Sequence, residues 1–261
     1  GQLLNFPAFR EGVALGPYLK KKFSMPVYIN NDGDLYAYGE ALGGLLPEVN
    51  EMLDDYGNRK RYRNLVGFTL GTGLGIGVVA NGELNRGDNS CIEMFSIPLK
   101  GRPDVIAEEG ISIRAVKRMY GELSGNPDHG LSPKDIFEIA EGVKEGDMEA
   151  AKGAFAQLGA ALGDVIAMTV SIIDGLVVIG GGLSGAYKYI KDSMFESIRG
   201  KMKRLNGEEI NKLASKVYDL DDKEELRQFL KGEQRQLKIY NSEIEVTYDP
   251  QKRIGVALSK I

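Results

Sequence analysis

Leu65-Val66-Gly67-Phe68-Thr69-Leu70-Gly71-Thr72-Gly73-Leu74-Gly75-Ile76-Gly77 is the stretch that settles how the chain is read. An apolar, strand-forming run passes directly into alternating glycines. Closely spaced glycines let a backbone turn sharply and approach a phosphate with no Cβ in the way. No Gly-Lys-Ser/Thr follows, so this is not a Walker A loop, and a hairpin rather than a helix comes next, which argues against a dinucleotide fingerprint. By itself the run reads equally as a glycine-rich hairpin and as a phosphate loop. Val78-Val79-Ala80-Asn81-Gly82-Glu83-Leu84 then places Asn-Gly between apolar runs and predicts a hairpin turn.

On the N-terminal side, Val27-Tyr28-Ile29 predicts a short buried strand that stops at Asn30-Asn31-Asp32-Gly33, and a helix is expected over 35–46. On the C-terminal side, helical periodicity dominates 112–171. Ser132-Pro133-Lys134-Asp135 supplies a helix start with Ser as N-cap and Pro in the first turn. The Ala- and Gly-rich stretch 151–171 predicts a closely packed, buried helix. Leu176-Val177-Val178-Ile179 is an unbroken apolar strand of the kind covered on both faces, and it enters Gly180-Gly181-Gly182. A helix is expected over 187–205, a solvated helical insertion over the charged segment 206–238, and a last strand at Ile244-Glu245-Val246. Alternation of strand, glycine turn and helix makes the chain α/β.

The 261 residues are 43% hydrophobic and 27% charged with a net charge of −4, an ordinary balance for a globular protein. No strong Lys/Arg run supports nucleic-acid binding by this segment. The lone cysteine, Cys91, permits no internal disulfide and fits a reducing, cytoplasmic setting. No signal peptide is expected from the first residues, which lack a basic stretch followed by an apolar core. The apolar stretch 166–173 is too short to span a bilayer, so no membrane partner is expected.

Four pieces could carry chemistry. The first is the glycine run at Gly71, Thr72, Gly73 and Gly75. The second is Gly180, Gly181 and Gly182, where a strand meets a helix, an arrangement that suits a nucleotide at the strand's carboxyl end. The third is Asn31-Asp32: a carboxylate there can take a proton from an attacking hydroxyl, although Asn-Asp-Gly is also an ordinary turn. The fourth is the carboxylate set Glu93, Glu108 and Glu109, which are acceptors suited to sugar hydroxyls.

In this order and spacing the pieces resemble the ROK (repressor, ORF, kinase) family, which has the actin-like, hexokinase-like ATPase fold (ribonuclease H-like), a mixed sheet flanked by helices. Asn31-Asp32-Gly33-Asp34…Gly39-Glu40 resembles the segment that carries the family's catalytic base. The resemblance therefore implies Asp32 as base and Asn31 as a sugar contact. Thr69–Gly75 resembles the second phosphate-binding motif, Asn81-Gly82-Glu83-Leu84…Gly87 the hairpin after it, and Ile179-Gly180-Gly181-Gly182 the adenosine-side motif. Asn5-Phe6-Pro7 is similar to a short segment ahead of the catalytic strand. The family's sugar site reads Glu-x-x-His, and here it is Glu93-Met94-Phe95-Ser96, with Ser96 in place of the histidine. Ala107-Glu108-Glu109-Gly110-Ile111-Ser112 resembles the stretch beyond the family's Cys-rich zinc loop, which implies Glu108 as a second sugar carboxylate. Gly101-Arg102-Pro103-Asp104 has no cysteine, so no structural zinc is expected, and His129 is expected to be a surface residue.

The resemblance implies phosphorylation of a hexose or N-acetylated amino sugar with ATP and Mg²⁺, in a dimeric or tetrameric homo-oligomer. It also implies a division into 1–45, closing a sugar-side lobe, and 46–261, a nucleotide-binding lobe. The family's Asp-x-Gly-Gly-Thr loop and returning final helix are not found in the sequence, so the chain is expected to be part of a longer parent and inactive alone. A sugar-sensing repressor body without turnover is the rival reading, and an actin-fold scaffold without ligand is the third.

Overall fold

The computed structural model describes residues 11–261; the Asn5-Phe6-Pro7 segment lies outside them. Two compact units are present, one up to Asp32 and one spanning Gly33–Ile261. In the first, α1 (Leu15–Phe23) ends at Ser24, which is left-handed at φ 52°. Residues Val27–Ile29 are irregular rather than a strand, and Tyr28 is 85% exposed. A three-residue apolar run becomes a strand only where a ladder partner and a buried face exist, and none pairs with it among the described residues.

From there the chain forms α2 (Asp32–Gly43) and α3 (Leu45–Asp55), then β1 (Leu65–Leu70), β2 (Leu74–Ala80) and β3 (Glu83–Asn85). The hairpin β4 (Pro98–Leu99)–β5 (Arg102–Ile106) follows. Next come α4 (Ile113–Ser124), α5 (Pro133–Ala140), α6 (Met148–Ile173), β6 (Leu176–Gly180) and α7 (Tyr187–Ile198). The last stretch holds β7 (Lys201–Lys203), β8 (Glu209–Asn211), β9 (Lys216–Asp219), α8 (Lys223–Lys231), β10 (Arg235–Lys238), β11 (Glu245–Tyr248) and β12 (Arg253–Leu258).

The main sheet has the order β3-β2-β1-β6-β12-β9. β1, β6, β12 and β9 are mutually parallel, and β2 and β3 are antiparallel additions joined by the Asn81-Gly82 turn. Both turn residues have positive φ, 56° and 84°, as the short hairpin demands. Alternation along the strands divides the core. Val66, Phe68, Leu70, Ile76, Val177, Ile179 and Val256 face α4–α7, while Leu65, Val79, Leu176, Val178 and Ala257 face α2, α3 and α8. This is the mixed sheet flanked by helices that the resemblance implies.

Two close approaches explain glycines in the middle of elements. Gly67 and Gly77 are register partners on β1 and β2; a Cβ on either would lie 2.9 or 2.6 Å from the Ala37 Cβ of α2. On α6 a Cβ at Gly159 would strike the Ile190 carbonyl of α7. α6 is long and apolar enough to cross a membrane, yet half of that stretch is buried against its neighbours. Its one mid-helix acid, Asp164, accepts hydrogen bonds from Ser197 and Lys212 at 2.9 and 2.7 Å. It reads as the core helix of a globular domain.

Three expectations need correction. α7 stops at Ile198, and the chain turns into the β7–β8 hairpin. Met202 and Leu205 continue the helical spacing of Ile198 but are exposed, and Gly200 and the Gly207 turn (φ 86°) break the helix. Segment 206–238 is not simply a helical insertion: its Lys216–Asp219 is the edge strand of the main sheet, with Val217 and Tyr218 buried between charged ends. The final strand is β12, which sits inside the sheet; an arginine at its start and Gly255 within it mask the apolar pattern.

Arg253 has a fully buried side chain paired to Asp249 at 2.5 Å. Burial alone would raise the Asp249 carboxyl, but hydrogen bonds from Arg253 and from the Glu233 and Gln251 amides hold it below its ordinary value of 3.8. A carboxyl depressed in the folded state contributes stability above its unfolded value, and that stability is lost as pH falls through the folded value. Asp249→Asn is therefore expected to destabilise by about 3 kcal/mol at neutral pH, by leaving a buried cation poorly matched. Its melting temperature should fall less steeply than that of the unaltered chain below about pH 4, read by circular dichroism. Gly159→Val is expected to cost about 1–3 kcal/mol by overpacking the α6–α7 seam, measured by urea unfolding.

Candidate functional site

Parallel pairing of β1 with β6 places Thr69 opposite Gly180. Both glycine motifs therefore leave the carboxyl ends of neighbouring parallel strands, the place where open α/β sheets bind ligands. Gly181 has φ 89°, and a Cβ there would lie 2.5 Å from the Leu70 amide nitrogen. Only glycine fits a left-handed turn packed against the end of β1. A short 3₁₀ turn, Gly182–Ala186, leads into α7, with the Ser184 hydroxyl donating to the Gly181 carbonyl at 2.7 Å. Of the first motif, Gly71–Gly73 form the turn itself, closed by the Gly71 amide on the Gly73 carbonyl at 3.1 Å. Gly75 already lies in β2, opposite Thr69.

The start of α4 holds that turn from below. Ser112 caps the helix, accepting from the Ala115 amide, and the Ile113 amide donates to the Gly71 carbonyl at 2.9 Å. Glu108 accepts from the Leu74 amide at 3.1 Å through one carboxylate oxygen and from Arg114 at 2.8 Å through the other. Arg114 also reaches the Thr72 carbonyl at 3.3 Å and Glu109 at 3.0 Å. Arg114 escaped the sequence reading because its partners lie both five or six residues back and more than forty residues away. The one available signal was a cation just inside the N-terminus of a helix, where the macrodipole disfavours it.

The segment carrying Glu93 and Ser96 is tied to the same place through its backbone. The Glu108 amide donates to the Phe95 carbonyl at 3.1 Å, and the Ala107 amide to the Ile97 carbonyl at 2.7 Å. Glu93 and Ser96 are exposed, while Ile92, Met94 and Ile97 pack on the core. Gly101–Asp104 belongs to the β4–β5 hairpin. Asp32 is the first residue of α2 rather than the end of a strand; it and Asn31 belong to the unit that ends at Asp32. Asp34, two residues on, is buried, and burial holds its carboxyl above the ordinary value despite the charge of Arg86. Glu40 is buried too: it accepts from the Leu45 amide at 2.9 Å and from Ser259 at 2.5 Å, joining α2, α3 and the end of β12.

His129 is half-buried instead of a surface residue. It accepts from the Leu131 amide at Nδ1 and meets the Lys117 carbonyl at Nε2, both at 2.9 Å, which assigns the neutral Nε2–H tautomer. The turn at Asn126–Asp128 folds it back onto Tyr120, a contact that local sequence does not encode. Among the described residues, no group of three or more His, Cys, Asp or Glu is placed to hold a metal ion.

A mixed sheet with glycine turns at adjoining carboxyl ends, covered by helices on both faces, defines the actin-like, hexokinase-like ATPase fold. The chain belongs to the ROK family, whose model matches residues 7–219. A crystal structure of glucokinase from Parabacteroides distasonis superposes with a TM-score of 0.91 at 49% identity, over 100% of this chain and 71% of that one. The beta-glucoside kinase of Listeria monocytogenes is 28% identical over 129 residues, 47% of this chain and 40% of its own length. The xylose repressor of Bacillus spizizenii is 32% identical over 75 residues, 29% of this chain and 16% of its own length. The chain thus spans less than half the length of the curated relatives it matches.

Removing the arginine beside the glycine turn tests this geometry directly. Arg114→Ala deletes partly exposed, charge-assisted hydrogen bonds, whose contribution is small at such exposure. Amide hydrogen exchange at Thr72–Leu74 should accelerate by roughly fivefold, with global stability little changed. Unaltered exchange there would show that the turn does not depend on Arg114.

Proposed function

We propose that this chain belongs to an ATP-dependent sugar kinase acting on a hexose or an N-acetylated amino sugar. The observation that carries the reading is the convergence of Gly71–Gly73 and Gly180–Gly182 on one end of the sheet, where backbone without Cβ atoms is available to a nucleotide. The 49% identical glucokinase, of which the chain covers 71%, supports it.

In this reading a sugar hydroxyl attacks the γ-phosphate of ATP, and Asp32 accepts the proton. Asn31, Glu93 and Glu108 orient the sugar through its hydroxyls, with Ser96 a weaker partner than the family's histidine. Gly71, Thr72, Gly73 and Gly75 place backbone amides along the phosphates, where they stabilise the charge of the transition state. Gly180, Gly181 and Gly182 take the adenosine side. The division of roles follows family motifs: residues 1–45 serve the sugar side and 46–261 the nucleotide side. Mg²⁺ suits a site without a protein cage, since it is commonly held by one or two carboxylates, waters and the phosphates themselves, and it would neutralise phosphate charge. A homo-oligomer in the cytoplasm fits the family.

The repressor homologue and the exchange of the family's histidine for Ser96 support a second reading, a sugar-sensing body without turnover. One variant separates the two. In the full-length protein Asp32→Asn is expected to keep sugar affinity, read by calorimetry, and to lower kcat by about two to four orders of magnitude, as for a lost positioned base. Unchanged kcat would reject Asp32 as base. Sugar binding without turnover in the unaltered protein would favour the sensor.

A further inference from the structure

Of the three glycines where β6 ends, two face solvent and one does not. Gly181 and Gly182 are exposed, and a Cβ on Gly182 would enter open space. Gly180, the last residue of the strand, is buried. A nucleotide at this end of the sheet can meet the backbone of Gly181 and Gly182, but Gly180 is already covered. Tyr36 of α2 covers it: a Cβ on Gly180 would lie 2.6 Å from the Tyr36 hydroxyl oxygen, 2.8 Å from Cζ and 3.0 Å from Cε2.

The same ring reaches a second glycine. A Cβ on Gly67 would lie 3.0 Å from Tyr36 Cδ1 and 3.0 Å from Cε1. β1 and β6 are parallel neighbours, with Gly67 opposite Val178 and Thr69 opposite Gly180. The ring therefore lies over the seam between the two strands that carry the glycine turns, in a slot made by one bare glycine on each. Tyr36 comes four residues after Asp32 in α2. Shape holds it there. Its hydroxyl is buried with no hydrogen-bond partner among the described residues, because the neighbouring Ser259 hydroxyl donates to Glu40 instead. Burial pushes the pKa of the Tyr36 hydroxyl above its ordinary value of 10.0, against a smaller effect of Ser259. The side chain thus stays protonated and serves as a rigid length of aromatic ring, neither acid nor donor.

We propose that Tyr36 is a positioning residue for phosphoryl transfer, and that Gly180 is glycine to admit its ring rather than to touch the nucleotide. The proposal rests on the kinase reading, in which α2 begins with the base and β6 ends on the adenosine side. A wedge between them fixes how far the helix stands from the strand end. Transfer is sensitive to such spacing, since a misplacement of about 1 Å far from the chemistry can cost about a hundredfold in rate. A methyl on Gly180 would force a shift of that order. Carbon atoms pack at about 3.5–4 Å, whereas the nearest ring carbons would lie at 2.8 and 3.0 Å. The three glycines then have three tasks: Gly180 receives the wedge, Gly181 lies against Leu70, and Gly182 leaves its backbone open.

The test compares Gly180→Ala, Tyr36→Leu and their double variant in the full-length protein. The sugar is glucose or N-acetylglucosamine, whichever the unaltered protein turns over faster. kcat and the KM for ATP are measured well below each melting temperature and scaled to the folded fraction by circular dichroism. Gly180→Ala is expected to lower kcat by about tenfold or more while the KM for ATP stays within about twofold. Tyr36→Leu alone should lower kcat severalfold, because the slot is left unfilled. Adding Tyr36→Leu to Gly180→Ala should recover most of the loss, since leucine lacks the ring atoms that the new methyl meets. The proposal is overturned if Gly180→Ala acts on the KM for ATP and Tyr36→Leu fails to restore it, which would place the nucleotide on Gly180. It is overturned equally if Tyr36→Leu alone leaves kcat unchanged, or if melting temperatures fall while kcat per folded molecule does not. Absence of turnover in the unaltered protein rejects the kinase reading instead. The seam is then read from the melting temperatures alone, where additive losses from the two changes overturn the proposal.

Discussion

The parallel ladder between β1 and β6 is the interaction on which the rest depends. Its register sets Thr69 beside Gly180, so two glycine turns more than a hundred residues apart leave the sheet at the same level. A slip of one residue would turn each strand's apolar set to the wrong face. Val66 and Phe68 would then lose the α4–α7 core, and the turns would no longer adjoin. The register is held from both sides, because each of these strands is buried on both faces. Gly181 then seals the junction by lying against Leu70 with no side chain of its own.

Small residues set how near the helices come to that ladder. Gly67 and Gly77 admit Ala37, so α2 lies directly on β1 and β2. The glycine alternation that looks like one long phosphate motif is thus two devices in succession. Gly71–Gly73 make the turn, and Gly77 makes room for a helix. Arg114 in the first turn of α4 and Glu108 just ahead of that helix complete the arrangement by fixing the turn's Thr72 carbonyl and Leu74 amide. One carboxylate, Glu108, therefore ties the segment ahead of α4 to the glycine turn.

Charge is arranged along the strands with equal economy. The carboxyl ends of β1 and β6 present backbone, whereas the amino ends of β1 and β12 gather lysine and arginine around the buried Arg253. The buried Arg253–Asp249 pair also fixes β12 against α8, since Arg253 lies over the Phe229 ring at 5.5 Å.

The sequence by itself determined the elements whose signals are local. β1, the Asn81-Gly82 hairpin, the Ser132-Pro133 helix start, the Ala- and Gly-rich α6 and the fully buried β6 were all legible, because turn chemistry, capping and apolar period act over a few residues. The glycine turns were legible as turns. Tertiary structure alone decided that they meet, that Gly75 and Gly77 belong to a strand, and that Arg114 and Glu108 hold the turn. It also decided that Val27–Ile29 forms no strand, that Lys216–Asp219 and Arg253–Leu258 do, and that His129 folds inward. For the strands the deciding partner lies far away in sequence, since a strand exists where another strand offers its ladder, whereas the charge at the start of β12 is met by Asp249 only four residues back, in a burial that local sequence does not show.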